Sequence, residues 1–235
     1  MTGILAIDTA TDACSVAVFV DGQLRERHEV IPRQHSQRLF GMLRELLPSG
    51  DLRSQGIQAI AYGSGPGSFT GLRIAASAVQ GLAYANELPA VAVSSLACQA
   101  QTALRLGEIG ADATVLSTLD ARINEVYSAL YTFNEGLAVL QAGPWASAPS
   151  DIPPIHADLL CAVGSGCRFH EEFPSGLRGR LQTCTGDLLP AARDLIPLAL
   201  EKLARGETQS PQQVQPVYVR DEISWKKLSQ QGKPA

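Results

Sequence analysis

The sequence predicts an α/β fold of two lobes, and three observations lead to this prediction. Strand-like runs open the chain, beginning with ILAI and SVAVFV, and short polar turns separate them. From residue 34 onward, helical and strand patterns alternate, which is typical of sheets flanked by helices. Near residue 107 the strand pattern begins again. We therefore expect a mixed sheet with flanking helices in each lobe.

The first lobe is expected to cover residues 1–106. Its first three strands, at residues 3–7, 14–20 and 23–30, are joined by short turns and so form an antiparallel meander. The helix that follows has apolar residues at helical spacing and ends before Pro48-Ser-Gly. The other predicted elements of this lobe are helices over 34–47, 69–86 and 94–105 and strands over 57–62 and 90–93.

The second lobe is expected to cover residues 107–216. The pattern predicts strands over 114–118, 125–133, 137–141 and 159–163 and a helix over 187–205. Pro197 should kink or break that helix, and the proline-rich residues 144–154 should form a surface loop. Residues 209–216 look like a linker. Strand-like residues 217–219 open a tail, 217–235, that is expected to return to the first lobe.

Composition excludes several classes of function. The net charge of −4 and pI near 5.6 do not suit a protein that binds nucleic acid alone, so any RNA contact would need a partner. Five scattered cysteines without a CxxC pair indicate reduced thiols rather than disulfides or zinc. The N-terminus has neither a basic region nor a long apolar run, so we expect a cytoplasmic protein without membrane insertion.

Two loops of the first lobe are candidate phosphate-binding loops. Asp8 and Thr9 begin the turn after the first strand, and a glycine-rich loop, GSGPGS, leads into the helix over 69–86. Its candidate residues are Gly63, Gly65, Gly67 and Ser68. Free amides at a helix start can hold an anion. The alternative, which we favour, is a turn stiffened by Pro66 in which Ser68 caps the helix. The side chains of Ala10, Thr11 and Asp12 would also crowd a phosphate.

The helix over 69–86 is the candidate interaction surface. Arg73 is its only charged residue, so the helix is apolar nearly all round. Such a helix is either enclosed by its own lobe or covered by another chain, and both remain open. Phe40, off the apolar stripe of the preceding helix, favours the second interpretation. The predicted partner or dimer interface comprises Leu39, Phe40, Met42, Leu43, Phe69, Leu72, Arg73, Ala76, Val79 and Gln80.

The order of these elements resembles the actin-like ATPase (ASKHA) superfamily. Four stretches narrow the resemblance: ILAIDTATDACSVAVFVDG, RQHSQRLFGMLRELL, AYGSGPGSFTGLRIAASAVQGLAYANELPAVAVSSL and PVYVRDEISWKK. Together they resemble the TsaB family, formerly YeaZ, the accessory proteins of bacterial tRNA threonylcarbamoyladenosine synthesis. The first hundred residues carry most of the resemblance, and the GPGSFTGLR block is its most specific part.

The resemblance implies a non-catalytic scaffold without cofactor or metal. It would bind the catalytic paralogue TsaD, act with the ATPase TsaE and functionally with TsaC, and form a homodimer when alone. TsaD carries an HxxxH metal motif after a similar glycine loop, and here Ser95 and Gln99 occupy the corresponding positions. Neither can replace a histidine as a strong metal ligand.

Other functions are weaker alternatives. An actin-like small ATP-dependent kinase or ATPase would need glycines around Asp8, and a metalloprotease would need the absent HxxxH. Val163-Gly-Ser-Gly166 could contact adenosine in such a kinase, although a simple turn is the better explanation. Trp225, Lys226 and Lys227 could contact RNA, although a tail anchor is the commoner role.

Overall fold

The computed structural model of the chain describes residues 2–157 and 159–219, and within them it contains two five-stranded sheets. The predicted α/β architecture is confirmed. The tail residues Trp225, Lys226 and Lys227 lie outside the described residues. No helix of the described part is both long and apolar enough to cross a membrane.

The first sheet has the strand order β3-β2-β1-β4-β5. Its strands are β1 (Gly3–Asp8), β2 (Ala13–Val20), β3 (Gln23–Val30), β4 (Ile57–Gly65) and β5 (Ala90–Ser94). The first three are antiparallel, as predicted, whereas β4 and β5 run parallel to β1. β1 is buried throughout because helices cover both faces of the sheet, whereas the edge strand β3 is mostly exposed.

The second sheet repeats this plan with the order β8-β7-β6-β9-β10. Its strands are β6 (Thr114–Arg122), β7 (Glu125–Asn134), β8 (Leu137–Ser147), β9 (Leu160–Val163) and β10 (Leu181–Thr185). Again three strands form an antiparallel meander and two run parallel to its first strand. The expectation that the pattern begins again is confirmed.

Helices cover the two sheets unequally. The helices are α1 (His35–Leu46), α2 (Phe69–Asn86), α3 (Ser95–Leu106), α4 (Ser175–Arg178) and α5 (Ala192–Ala204). α1 and α2 pack on one face of the first sheet and α5 on the other. α3 contributes buried side chains to the cores of both sheets. Short 3₁₀ turns and α4 cover the outer face of the second sheet.

The structure corrects the sequence interpretation of the second half of the chain in four places. The expected loop 144–154 is partly strand, because β8 is an edge strand and tolerates a proline such as Pro144. The helix predicted over 187–205 begins only at Ala192 and continues through Pro197 without a break. β10 was not predicted, since its LQTCT sequence is short and largely polar.

The fourth correction concerns residues assigned to the second lobe and to a linker. Leu195 and Ala199 of α5 pack on the first sheet, although residues 107–216 were assigned to the second lobe. The expected linker is also docked: Gln209 exchanges two backbone hydrogen bonds with Ala90 of β5. Val214 is buried in the core that α1 and α2 form on the first sheet. The boundary near residue 106 itself stays a prediction.

Candidate functional site

The turn after β1 brings Asp8 and Thr9 against the start of α2. Thr9 Oγ1 donates a hydrogen bond to the carbonyl of Gly71 at 2.7 Å, and the Ser68 amide donates to the carbonyl of Ala10 at 2.7 Å. The two loops considered as candidate phosphate-binding loops therefore lie together, as a phosphate site would require. They contact each other directly, however, so the amide of Ser68 is already occupied by the chain's own carbonyl.

The missing side chains of the glycine loop make room for other parts of the same chain. A Cβ at Gly67 would overlap the carbonyl oxygen of Ala10, and a Cβ at Gly71 would overlap that of Thr9. These close approaches explain why the positions must be glycine. The neighbours that fill the space are carbonyl oxygens, which repel a phosphate rather than bind it.

The same holds for the other two glycines predicted as phosphate-binding. A Cβ at Gly63 would overlap the carboxylate Oδ2 of Asp8, and one at Gly65 would overlap the backbone oxygen of Val217. The described start of the tail is thus seated on this loop, where the Val217 amide donates to the Ser64 carbonyl at 2.7 Å. Ser68 caps α2 by accepting a hydrogen bond from the Gly71 amide at 3.3 Å, as the capping interpretation predicted.

Asp8 is the unusual charge-bearing group of this region. Its side chain is fully buried, Oδ1 accepts a hydrogen bond from the Ala10 amide at 3.0 Å, and Oδ2 has no partner. Burial raises the pKa of Asp8 from its ordinary value of 3.8 to about 7, and the Ala10 hydrogen bond offsets only part of this. A buried carboxyl group that is only partly ionised near neutral pH is poorly suited to hold a magnesium ion.

Ser95 and Gln99, at the positions that correspond to the metal motif of the paralogue, are buried at the start of α3. Ser95 Oγ lies against Gly63 and has no hydrogen-bond partner. Gln99 Nε2 donates to Ser117 Oγ and to the carbonyl oxygens of Thr118 and Val163 at 2.9–3.1 Å. Gln99 thus joins α3 to the second sheet. The described residues hold no group of three or more His, Cys, Asp or Glu side chains that suits a metal ion.

The candidate adenosine loop in the second sheet is filled in the same way. Gly164 has a φ of +95°, and a Cβ there would overlap the Gln99 amide nitrogen. A Cβ at Gly166 would lie 2.6 Å from Cβ of Thr118. The glycines therefore serve close packing between α3, β6 and this turn.

The residues predicted as an interface fall into two groups. Six of them are buried within the chain: Leu39, Met42, Leu43, Leu72, Ala76 and Val79. Because these side chains pack in the core between the helices and the first sheet or its loops, they have no surface to offer a partner. This part of the prediction is corrected: the helical periodicity identified the packed face of α1 and α2 rather than a free one.

The other predicted residues are on the surface. On α2, Phe69, Arg73 and Gln80 are exposed, and on α1 Phe40 is about half exposed at 52%. Ser77 and Tyr84 lie on the same outward face of α2, since their spacing from Phe69 and Arg73 is helical. We call Phe69, Arg73, Ser77, Gln80 and Tyr84 the outer stripe of α2.

An aromatic cluster forms at one end of the outer stripe. Arg73 lies over the Phe69 ring, with its guanidinium carbon 3.9 Å from the ring centre, and its Nε donates to the Tyr218 hydroxyl at 3.1 Å. The rings of Phe69 and Tyr218 are 5.6 Å apart. Tyr84, at the other end, is 70% exposed. Sequence reasoning missed Tyr84 and Tyr218, although the helical spacing of Tyr84 could have indicated its face.

Comparison with known proteins gives a consistent result. A family model described as TsaD, tRNA N6-adenosine threonylcarbamoyltransferase, matches residues 28–150. The tRNA threonylcarbamoyladenosine biosynthesis protein TsaB of Escherichia coli (strain K12) is 39% identical over 236 residues, covering 96% of this chain and 97% of its own length. TsaB of Haemophilus influenzae is 32% identical over 240 residues, covering 96% of each chain.

Solved structures agree with these relatives. YeaZ from Pseudomonas aeruginosa superposes with a TM-score of 0.85 at 40% identity, covering 93% of this chain and all of that one. A second structure from the same organism, described as an uncharacterized protein with similarity to peptidase YEAZ, gives the same TM-score and identity over 94% of this chain. The resemblance stated from the sequence is confirmed, and the two mixed sheets are consistent with an actin-like fold.

Proposed function

The chain belongs to the TsaB family of tRNA threonylcarbamoyladenosine biosynthesis proteins, and we propose that its part in this synthesis is that of a non-catalytic scaffold. In this proposal it binds the catalytic paralogue TsaD and supports transfer of threonylcarbamoyl to the adenosine next to the tRNA anticodon. The observation that carries the proposal is the outer stripe of α2, an exposed aromatic surface on a helix whose opposite face is already packed.

The chemistry of the outer stripe suits a protein partner. Phenylalanine, tyrosine and arginine are the residue types enriched in protein interfaces, and the stripe presents all three. Between the aromatic ends, Ser77 and Gly81 are small and exposed, so a partner helix can approach α2 closely. Phe40 on α1, which contacts α2, extends the apolar surface beyond one helix.

The filled loops argue against the kinase or ATPase alternative. A nucleotide phosphate needs open backbone amides, whereas the space beside Gly63, Gly67 and Gly71 is occupied by oxygen atoms of the same chain. Asp8 is buried and has no cation beside it among the described side chains. The loop therefore offers no positive charge that could neutralise the phosphates of a nucleotide. We therefore assign no catalytic residue, cofactor or metal to this chain.

The wider partners follow from the family and the charge. We propose that TsaE and, functionally, TsaC act with this chain, and that tRNA is contacted only through the complex, because the net charge of −4 opposes direct binding. In the absence of TsaD, the outer stripe would support a two-fold homodimer. We also propose two lobes, with residues 1–106 and the tail in the first and most of 107–216 in the second.

Gly81→Glu is the sharpest test of the proposed interface. Gly81 is exposed in α2 and a Cβ there would meet no atom within 4 Å, so the variant should fold normally. A glutamate in the middle of a packed interface should weaken association with TsaD by about 3 kcal/mol, because the carboxylate would be buried without a partner. Light scattering of the mixed purified proteins measures the loss.

Gly176→Glu is the matched control. Gly176 lies in α4, far along the chain from α2, and its Cβ position is also empty within 4 Å. This variant should bind TsaD like the parent. If folded Gly81→Glu forms the mixed species as tightly as Gly176→Glu, the outer stripe is not the TsaD interface.

A further inference from the structure

The second sheet brings together two cysteines that are distant in the sequence. Cys167 lies in the 3₁₀ helix Ser165–Glu172, which follows β9, and Cys184 lies on β10, which pairs in parallel with β9. Cys184 packs against the outer core of this sheet, to which Cys167 belongs. Cys167 Cβ also lies 3.9 Å from the position that a Cβ on Gly186 would take, two residues after Cys184, so the two cysteines are neighbours in this core.

The surroundings of the two thiols differ in a way that matters for reactivity. Cys167 is buried, with its sulfur 3.9 Å from Thr118 Oγ1, whereas Cys184 is only partly buried. A small molecule can therefore reach Cys184 first. The other three cysteines, Cys14, Cys98 and Cys161, are buried.

The charges around the pair favour a thiolate at Cys184. The hydrogen bond from the Cys167 thiol lowers the pKa of Cys184; partial burial opposes this shift, and the nearby His170 adds to it. The same hydrogen bond and burial raise the pKa of Cys167, so Cys167 keeps its proton. Burial likewise raises the pKa of Cys14 to about 12, which leaves that thiol unreactive.

We propose that Cys167 and Cys184 are an oxidisable dithiol, a modification site that reacts with small-molecule disulfides and closes to an intramolecular disulfide. The neighbouring positions of the two cysteines in one core, the partial exposure of Cys184 and the burial of Cys167 carry this inference. It is independent of the proposed scaffold function, because the pair lies in the 3₁₀ turn and β10 of the second sheet and the outer stripe lies on α2 over the first.

The reaction takes place in two balanced steps. The Cys184 thiolate attacks one sulfur of the small disulfide, so that a mixed disulfide forms and one small thiolate leaves. The Cys167 thiol then loses its proton to solvent, and its sulfur attacks Cys184 and expels the second small thiolate. Two protein thiols are oxidised to one disulfide, while the small disulfide is reduced to two thiols.

The disulfide would connect β10 to the turn after β9. The resulting loop between Cys167 and Cys184 contains α4 and the connection to the edge strand of the sheet. A cross-link of this kind removes conformational freedom from the unfolded chain. The oxidised protein should therefore unfold at a higher temperature than the reduced protein.

The test is oxidation of the full chain with glutathione disulfide, followed by intact mass and peptide mapping. The parent should lose the mass of two hydrogen atoms, and Cys167 and Cys184 should appear in one cross-linked peptide pair. Cys167→Ser should instead stop at a mixed disulfide on Cys184, because no second thiol is available. Cys184→Ser should form neither an intramolecular disulfide nor a mixed disulfide at Cys167.

Cys161→Ser is the control, since Cys161 is a buried thiol on β9 of the same sheet, and this variant should oxidise like the parent. Circular dichroism establishes that each variant is folded. The proposal is overturned if the folded parent keeps all its thiols under these conditions. It is equally overturned if Cys167→Ser and the parent give the same product, or if the cross-link joins other cysteines.

Discussion

The two sheets share one strand plan but differ in what lies at the end of their first strands. At the end of β1, Asp8 is fully buried and its Oδ2 is without a hydrogen-bond partner. Near the end of β6, the Asp120 side chain is 10% exposed and pairs with two exposed arginines, Arg168 at 2.8 Å and Arg122 at 3.6 Å. An acidic residue at a strand end is therefore not by itself evidence of a metal or phosphate site, because its burial and its neighbouring charges differ from one strand end to another.

The helices deepen this difference. The first sheet carries long helices on both faces, and the outer stripe of α2, with its two aromatic ends, remains exposed. The outer face of the second sheet carries only short turns and α4. Among the described residues, the long exposed helix that a partner helix could pack against lies on the first sheet, and this is the surface we propose as the interface.

Val79→Glu should have the largest effect on the first sheet. Val79 is a fully buried residue of α2 that packs in the core on the first sheet. A glutamate there would be a buried charge without a partner. We expect a loss of about 5 kcal/mol in the free energy of unfolding, enough to unfold an ordinary domain. Ser77→Glu, two residues earlier on the exposed face, should change it by less than about 0.5 kcal/mol. Urea unfolding compares the two, and equal losses would mean that the burial of α2 is misassigned.

The buried Asp8 carboxyl should make the stability of the fold depend on pH. Because the pKa of Asp8 is raised from 3.8 in the unfolded chain to about 7 in the folded chain, the folded state holds the proton more tightly. Its contribution to stability is thus fully present below pH 4 and is lost as the pH rises to about 7. The total change is on the order of 4 kcal/mol.

Asp8→Asn isolates this contribution, because asparagine has a similar shape and does not titrate. The difference in unfolding free energy between Asp8→Asn and the parent should shift in favour of the variant as the pH rises from 4 to 7. A difference for Asp8→Asn that stays constant with pH would contradict the assignment of a neutral carboxyl.

Gly63→Ala should have an intermediate effect. Its Cβ would overlap Asp8 Oδ2 and press toward Ser95, so we expect a loss of about 2 kcal/mol in unfolding free energy. Combining it with Asp8→Ala should recover part of that loss, because the overlapping oxygen is then absent. Gly50→Ala, at an open surface position, is the control. If the changes in unfolding free energy of Gly63→Ala and Asp8→Ala simply add in the double variant, the alanine Cβ at position 63 does not overlap the Asp8 carboxyl.

Gly81→Ala should have the smallest effect and the opposite sign. Alanine in an exposed helix interior is about 1 kcal/mol more favourable than glycine, and no atom lies near its Cβ. Thermal unfolding should show a slightly stabilised chain. A destabilised Gly81→Ala would mean that this face of α2 is packed, contrary to the comparison of the two sheets.

Sequence patterns alone determined much of the first half of the fold. The bounds of α2 and β3 agree with the prediction, since the polar turns, the Ser68 cap and the apolar runs are all local signals. The family followed from contiguous blocks such as GPGSFTGLR. The glycine loop was also correctly interpreted as a helix start, because capping depends on residues adjacent in the chain.

Only the tertiary structure decided which side of each element is covered. α2 is apolar nearly all round, so its periodicity could not tell the packed Ala76 and Val79 from the exposed Ser77 and Gly81. The reason for each glycine likewise lies in a distant contact, such as the Asp8 carboxyl beside Gly63. The meeting of Cys167 with Cys184 depends on the pairing of a short polar strand, β10, with β9. Such contacts arise from packing between remote segments, which local patterns do not encode.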